Sequence, residues 1–474
     1  MSCEKFGTYE GTGFKTFYFL PEIKQIVEGI RRQIPEIPIV AGGGAFTVSP
    51  EAILRKLDIP FGILGEGEEP LHQFLLAFPD EEKIFGIPNV IVRRENQFFS
   101  TPRQPYTFKP DETFMVREKK FNYAFESAGV PVQLKRGCNQ SCSYCVEPII
   151  EGRKIVFRNL DDVLTELHSI GRHHDDVRSI FFTDTEFNIP NLEYGKSLIA
   201  RIMEAGLHER FRFSSQFLPK PFDAALARLL GDAGFSIILT CDSFSDRILK
   251  MNRACFRQKD ILRTLELCEK HEIDCTVNLI FGLPGETFET IDHTLGKMLT
   301  FPPHGFRRYE YTIGGRIYQG TPLCHFVEKQ IENRNVYGNN SKGYLEPSYY
   351  CSPDSPLKLK KYIDRAVPLS LEFQNNYDDV RCQELRLSYL IDQYMWQAAE
   401  TGFLNGDLAV QTSIYEYFFR KLAGSGKFAL AKRISERLMA RMLHDPEKHI
   451  YTDQISVIRY YLSVLAAAEH PGLD

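Results

Sequence analysis

Lys135-Arg-Gly-Cys-Asn-Gln-Ser-Cys-Ser-Tyr-Cys-Val-Glu-Pro148 places three cysteines, Cys138, Cys142 and Cys145, within eight residues. The run follows directly on Val132–Leu134, an apolar stretch that reads as a β-strand, so the thiols belong to a loop at a strand's end. The spacing Cys-x3-Cys-x2-Cys suits three thiolates on three irons of a [4Fe–4S] cluster, with the fourth iron free of protein ligands. A structural zinc site is the plainer alternative. It needs four ligands, and no second pair follows: the nearest downstream histidines, His168, His173 and His174, lie in or beside a predicted helix. The other eight cysteines, of eleven in all, are scattered and read as small buried apolar residues.

Working outward, further strands are expected at Ile180–Thr183, Arg212–Ser214, Ile237–Leu239, Thr276–Phe281 and Arg308–Ile313. Amphipathic helices such as Leu160–Gly171 and Ile261–His271 separate them. Six strand–helix alternations predict a partial (β/α)6 TIM-like barrel over residues 126–325, with chemistry at the carboxyl ends of its strands. Upstream, Ile39–Val40 runs into Gly42-Gly43-Gly44 and Phe61–Leu64 into Gly65-Glu66-Gly67-Glu68. Residues 1–85 therefore read as a partial Rossmann-like parallel α/β domain with glycine-rich loops, and 86–125 as a linker. Downstream, apolar stripes at Leu387, Leu390, Ile391, Tyr394, Met395 and Ala398, at Ile414, Tyr417, Phe418 and Leu422, and at Leu430, Ile434, Leu438 and Met442 predict a mainly helical extension over 326–474. The fold class is α/β.

The 474 residues carry 43% hydrophobic and 25% charged side chains and a formal net charge of −5. That balance belongs to a globular protein of several cores with no broad attraction to nucleic acid. No apolar run approaches the ~20 residues that span a bilayer, and MSCEKFGTYEGTGF lacks the basic and apolar parts of a signal peptide, so a cytoplasmic location is expected.

Cys138-x3-Cys142-x-Tyr144-Cys145 after the first barrel strand resembles the signature of the radical S-adenosylmethionine (SAM) superfamily, including the aromatic residue before the third cysteine. Four later segments in order extend the resemblance. Phe182-Thr183-Asp184-Thr185-Glu186 is similar to the second-strand motif whose backbone pairs with the SAM amino group. Thr240-Cys-Asp242-Ser243 is similar to the segment that approaches the SAM ribose, with Asp242 where the family usually has Glu. Asn278-Leu-Ile-Phe-Gly282-Leu-Pro284-Gly285-Glu286 is similar to the turn beside the adenine, and Gly315-Arg316 opens a segment like the subgroup's final-strand motif. The amino-terminal loops Gly42, Gly43, Gly44, Gly65, Glu66 and Gly67 resemble the carboxyl half of the cobalamin-binding domain that precedes the barrel in one subgroup.

The resemblance implies three cofactors: a [4Fe–4S] cluster on Cys138, Cys142 and Cys145, SAM on its open iron, and cobalamin. It implies cobalamin-linked methyl transfer, or related radical chemistry, on a small molecule or peptide, with an electron donor such as flavodoxin or ferredoxin. Rival readings are a cobalamin-independent oxidoreductase or cyclase and a non-catalytic cluster-bearing accessory or sensor protein. A tRNA methylthiotransferase is disfavoured because only Cys3 precedes Cys138, whereas that family holds a second cluster there. Arg136, Arg158, Arg316, Tyr318, Tyr349 and Tyr350 are substrate-side candidates. The glycine loops supply one wall of a corrinoid pocket and the units expected to supply the other are missing, so weak cobalamin retention is expected.

Overall fold

Seven strands pair in parallel as one sheet in the spatial order Glu372–Phe373, Arg307–Ile313, Asp274–Phe281, Ser236–Asp242, Arg212–Phe217, Ser179–Phe182 and Val130–Val132. Apart from the added strand at Glu372–Phe373, this is chain order around a partial barrel. The computed structural model describes residues 4–8, 15–104, 129–303, 306–330, 335–338, 345–366, 372–373, 387, 391, 394, 396–404, 408–445 and 451–469. They belong to two compact units, Met1–Gln374 and Asn375–Asp474.

The barrel helices are capped by the residues that precede them. Asn159 accepts the Asp161 N–H ahead of Leu160–His173, and Asp223 and Thr287 do the same for Ala224–Asp232 and Phe288–Thr300. Their apolar faces, Val163, Leu167 and Ile170 in the first case, bury against the sheet in the largest core of the molecule. Phe182, Phe213 and Phe235 stack within it, with centroids 5.2–6.2 Å apart. Strand residues alternate between buried positions and half-exposed ones such as Ser214, Gln216, Ile238, Thr240, Asn278 and Glu310. One sheet face is sealed under helices and the other stays open to a ligand.

The amino-terminal sheet differs from the expectation of purely parallel pairing. Val40–Ala41 and Phe61–Ile63 are parallel, but Val90–Arg94 and Gln97–Ser100 add to it as an antiparallel hairpin. Residues expected to be a linker thus give two strands, because Val90, Ile91 and Val92 are all buried and Glu95 turns the hairpin at φ +51°. The remainder of that expected linker, 105–125, lies outside the described residues.

The carboxyl-terminal boundary also moves. A helical unit was expected from 326, yet the strand Ser348–Tyr350 pairs with Gly315–Arg316 and with Val336–Gly338, and Glu372–Phe373 extends the barrel sheet. Division therefore falls after Gln374. Beyond it, helices Leu408–Gly424 and Phe428–His444 pack Ile414, Phe418 and Leu422 with Ile434, Leu438 and Met442. Gly424-Ser425-Gly426 separates the two as expected, whereas Tyr394, placed on an apolar stripe by its spacing, is exposed. Leu390 and Met395 lie outside the described residues, as does the Ala398 side chain. No described helix is long and apolar enough to cross a membrane.

Candidate active site

The first barrel strand feeds a short antiparallel pair, Lys135–Arg136 with Val156–Phe157, and the cysteine loop closes between its arms. Gly137 N–H donates to the Glu151 carboxylate at 2.9 Å, and Cys138 N–H donates to the Gly152 carbonyl at 3.0 Å. Cys138 is buried, Cys142 and Cys145 are half-buried, and all three are free thiols. Burial pushes each thiol above its ordinary range, Cys145 to about 12. Thiolate ligation here must arrive with a metal's positive charge, which displaces the protons. Among the described residues no three His, Cys, Asp or Glu side chains converge as a single ion would require. A four-iron cluster does not ask for that convergence, since each cysteine takes its own iron.

Distant segments grip this loop. Ser143 Oγ donates to Asn252 Oδ1 at 2.7 Å and Ser143 N–H to the Asn252 carbonyl at 3.1 Å. Asn252 Nδ2 in turn donates to the Pro284 carbonyl at 3.0 Å, and Leu323 N–H donates to the Ser143 carbonyl at 2.8 Å. One buried asparagine therefore ties the cysteine loop to the Gly282–Glu286 turn on the far side of the sheet.

Four acids are buried around the strand ends. Asp184 Oδ1 accepts the N–H groups of Leu134 and Lys135, each at 2.9 Å, while its Oδ2 has no hydrogen-bond partner. Glu186 Oε2 likewise has none. Burial raises Asp184 to about 6 and Glu186 to about 8. Asp242 sits at φ +59° where strand register slips, and accepts the Tyr144 hydroxyl at 2.8 and 2.9 Å; burial still lifts it to about 6. Glu286 accepts Thr290 Oγ1 at 2.5 Å and Gly282 N–H at 3.4 Å, and burial lifts it to about 7. Lys135 is buried beside them, its Nζ 3.5 Å from Thr185 Oγ1, and burial lowers its pKa against the opposing pull of Asp184. Burial, with too few charged partners to offset it, is what holds these acids above their ordinary range.

The other expected residues divide. Gly282 and Gly285 turn at φ +91° and +88° with Pro284 buried between them. Thr183 is exposed at the second strand's end, Thr185 is half-buried, and Asn278 leaves its Oδ1 unpartnered. Ser243 instead turns into the helix Phe288–Thr300, its Oγ 3.0 Å from Thr294 Oγ1. Arg316 donates to the carbonyls of Ile317, Ser348 and Glu346 and stacks against Tyr318 and Tyr349, while Arg158 makes a buried ion pair with Glu166. Both arginines are buried, as are Tyr349 and Tyr350. Asn252 and Lys135 carried no sequence signal, and Glu286 stood in the quoted turn without a role.

Beside the cysteine loop lies a cleft of about 650 Å³. One wall is Val40 to Gly43, Ile63 and the Gly65–Glu68 loop, which present mainly backbone; the other is Gln133, Arg136, Ile150 and Glu151 from the barrel. Thr47 Oγ1 donates to the Gly43 carbonyl at 2.9 Å and accepts Gly65 N–H at 2.8 Å, locking the glycine loops together. Residues of the barrel segment thus form the second wall of this cleft. A concave, mostly apolar cleft of this volume, with backbone on one side and a few polar groups on the other, fits a large organic cofactor.

Residues 132–298 match the Radical SAM superfamily. The chain is 22% identical over 415 residues to tryptophan 2-C-methyltransferase of Streptomyces laurentii, covering 72% of this chain and 67% of that one. It is 29% identical over 188 residues to a tRNA-2-methylthio-N(6)-dimethylallyladenosine synthase of a Sulfurihydrogenibium species, covering 38% and 40%. The chain thus spans two thirds of the first relative's length and two fifths of the second's. Its fold resembles the radical SAM methyltransferase TsrM of Kitasatospora setae, solved with cobalamin and a [4Fe–4S] cluster, at TM-score 0.66 and 21% identity over 81% of this chain and 82% of that one. The cofactors of the barrel are accordingly the [4Fe–4S] cluster and SAM. Residues 132–298 thus carry a radical SAM domain, and the fold resembles that of a radical SAM methyltransferase solved with cobalamin.

Proposed function

We propose that the chain is a cobalamin-linked radical SAM enzyme that methylates a small molecule or peptide. The observation that carries this reading is the two-walled cleft, which abuts the cysteine loop through Arg136 and Ile150. When bound, cluster and SAM supply a 5′-deoxyadenosyl radical and cobalamin a transferable methyl group. The chain's own part is to hold and exclude. Cys138, Cys142 and Cys145 would hold the cluster, and the unpartnered oxygens of Asp184 and Glu186 would be available to a positively charged part of SAM. The Gly282–Glu286 turn, pinned by Thr290 and Asn252, would border the adenine of SAM. The glycine loops would seat the corrinoid, and the open sheet face the substrate. The chain likeness to a tryptophan methyltransferase supports a small aromatic or peptide-borne acceptor. Reduction falls to a donor of the flavodoxin or ferredoxin class.

The test is anaerobic incubation of the iron-reconstituted protein with methyl-labelled SAM, a reductant and candidate acceptors, with and without added cobalamin. Label should pass to an acceptor only when cobalamin is present. Equal formation of 5′-deoxyadenosine and product without cobalamin would move the chain to the cobalamin-independent reading.

A further inference from the structure

Both acids of the Gly65–Glu68 loop are spoken for. Glu66 Oε2 lies 3.2 Å from Arg103 Nη2, and Glu68 Oε1 lies 2.7 Å from Arg136 Nη2. Arg103 also donates to the carbonyls of Ile149 and Ile150, which end the short helix Glu147–Ile150. That helix begins two residues after Cys145, and Arg136 stands two residues before Cys138. The cluster loop is therefore held at each end by an arginine whose other contact is an acid lining the cleft. Glu66 is almost buried and Arg103 mostly so, whereas the Glu68 carboxylate is partly exposed, so the first pair is the stiffer of the two. Room is tight as well: Gly65 adopts φ +69°, and a Cβ there would collide with the Arg103 guanidinium.

We infer that Glu66 and Arg103 are positioning residues that couple a ligand in the cleft to the cysteine loop, an inference that rests on reading the cleft as the cobalamin site. A corrinoid pressing on Gly65–Glu68 shifts Glu66 only by dragging or releasing Arg103. Arg103 moves only with the carbonyls of Ile149 and Ile150. The loop that presents the cluster then takes a different set for filled and empty cleft. Coupling of this kind is reciprocal: what cobalamin does to SAM affinity, SAM does to cobalamin affinity. Lysine at 103 would keep the charge but lose the forked donation to two carbonyls and a carboxylate.

Cluster-loaded protein is titrated with SAM, with and without saturating hydroxocobalamin, and the reduced cluster's EPR spectrum is recorded in both states. In the wild type, cobalamin should change the SAM Kd by roughly fivefold or more and alter the EPR line shape. In Arg103→Lys, outside the cleft lining, hydroxocobalamin should still bind within about threefold of wild type while both responses disappear, and in Glu66→Gln both responses should disappear as well. Glu68→Gln serves as the gentler variant and should reduce the responses without removing them. If wild-type protein binds cobalamin but SAM affinity and spectrum ignore it, the coupling is wrong and the cobalamin reading stands. If Glu66→Gln keeps both responses at wild-type size, the coupling is likewise wrong. Failure of the wild type to bind hydroxocobalamin overturns the cobalamin reading and the coupling together.

Discussion

The barrel mouth and the amino-terminal cleft handle charge in opposite ways. At the mouth, Asp184, Glu186, Asp242 and Glu286 are all nine-tenths buried or more, and among the described residues none sits within ion-pair distance of a cation, although the buried Lys135 pulls on Asp184 and Glu186. Their partners are N–H and hydroxyl groups, so burial prevails and each pKa rises. In the cleft, Glu66 and Glu68 each meet an arginine, the first pair mostly buried and the second partly exposed. The first arrangement leaves buried carboxyl groups that a cationic ligand would favour in their charged form. The second is already neutralised and acts as a mechanical tie.

The largest effect should come from the mouth's metal ligands. Cys138→Ala, Cys142→Ala or Cys145→Ala should abolish the ~400 nm iron–sulfur absorbance or leave an inert cluster, because three thiolates are the minimum protein ligation. Cys255→Ala and Cys351→Ala should leave it intact. Full iron content and SAM cleavage in Cys142→Ala would break the account of the mouth.

Next comes Asn252, which has no ligand role yet spans two motifs. Asn252→Ala strands the Ser143 hydroxyl and the Pro284 carbonyl in a buried setting, at a cost of about 2–4 kcal/mol in folding stability. Cluster retention should fall with it, and chemical denaturation of apo and loaded protein reads both. A loss below about 0.5 kcal/mol, the scale of an exposed site, would show that the loop is held elsewhere.

The raised acids predict a pH dependence with a definite sign. Glu286 titrates near 7 when folded, against an ordinary value of 4.5, so between these the folded state holds more protons than the unfolded. Its contribution to stability therefore falls as pH rises from about 4.5 to about 7, by on the order of 1–3 kcal/mol. Asp184, Glu186 and Asp242 act in the same direction. Thermal melts of the ligand-free protein should drop across that window, and Glu286→Gln should flatten the slope. A slope of opposite sign would mean that the acids at the mouth are paired after all.

The smallest effect belongs to the cleft rim. Glu68→Gln should cost under about 1 kcal/mol, and the difference from wild type should shrink in high salt, as expected of a partly exposed ion pair.

The mouth was far more legible in the sequence than the cleft, for a reason visible in the residues. Cys138, Cys142, Tyr144 and Cys145 are contiguous, and each later motif ends its own strand, so spacing and order alone place them. The cleft joins residues 40–71 to 133–151, a pairing that no local pattern encodes. Asn252 escaped for the same reason: its partners lie 109 and 32 positions away. The hairpin Val90–Ser100 was taken for linker because its strands are short and their apolar run shows no alternation. Arg316 and Ser243 show the converse: they match a motif by position, yet their side chains bond to neighbouring protein groups.

The central claim is that a barrel and a glycine-rich half-domain together make one corrinoid site beside one cluster. It is tested most directly by anaerobic titration of the iron-reconstituted 474-residue protein with hydroxocobalamin, followed in the visible bands of the bound corrinoid. The account predicts saturation at one equivalent per chain, with binding weakened by Gly43→Val, which fills the cleft wall, while the cluster absorbance stays unchanged. No saturable binding, or equal binding by Gly43→Val, would contradict it.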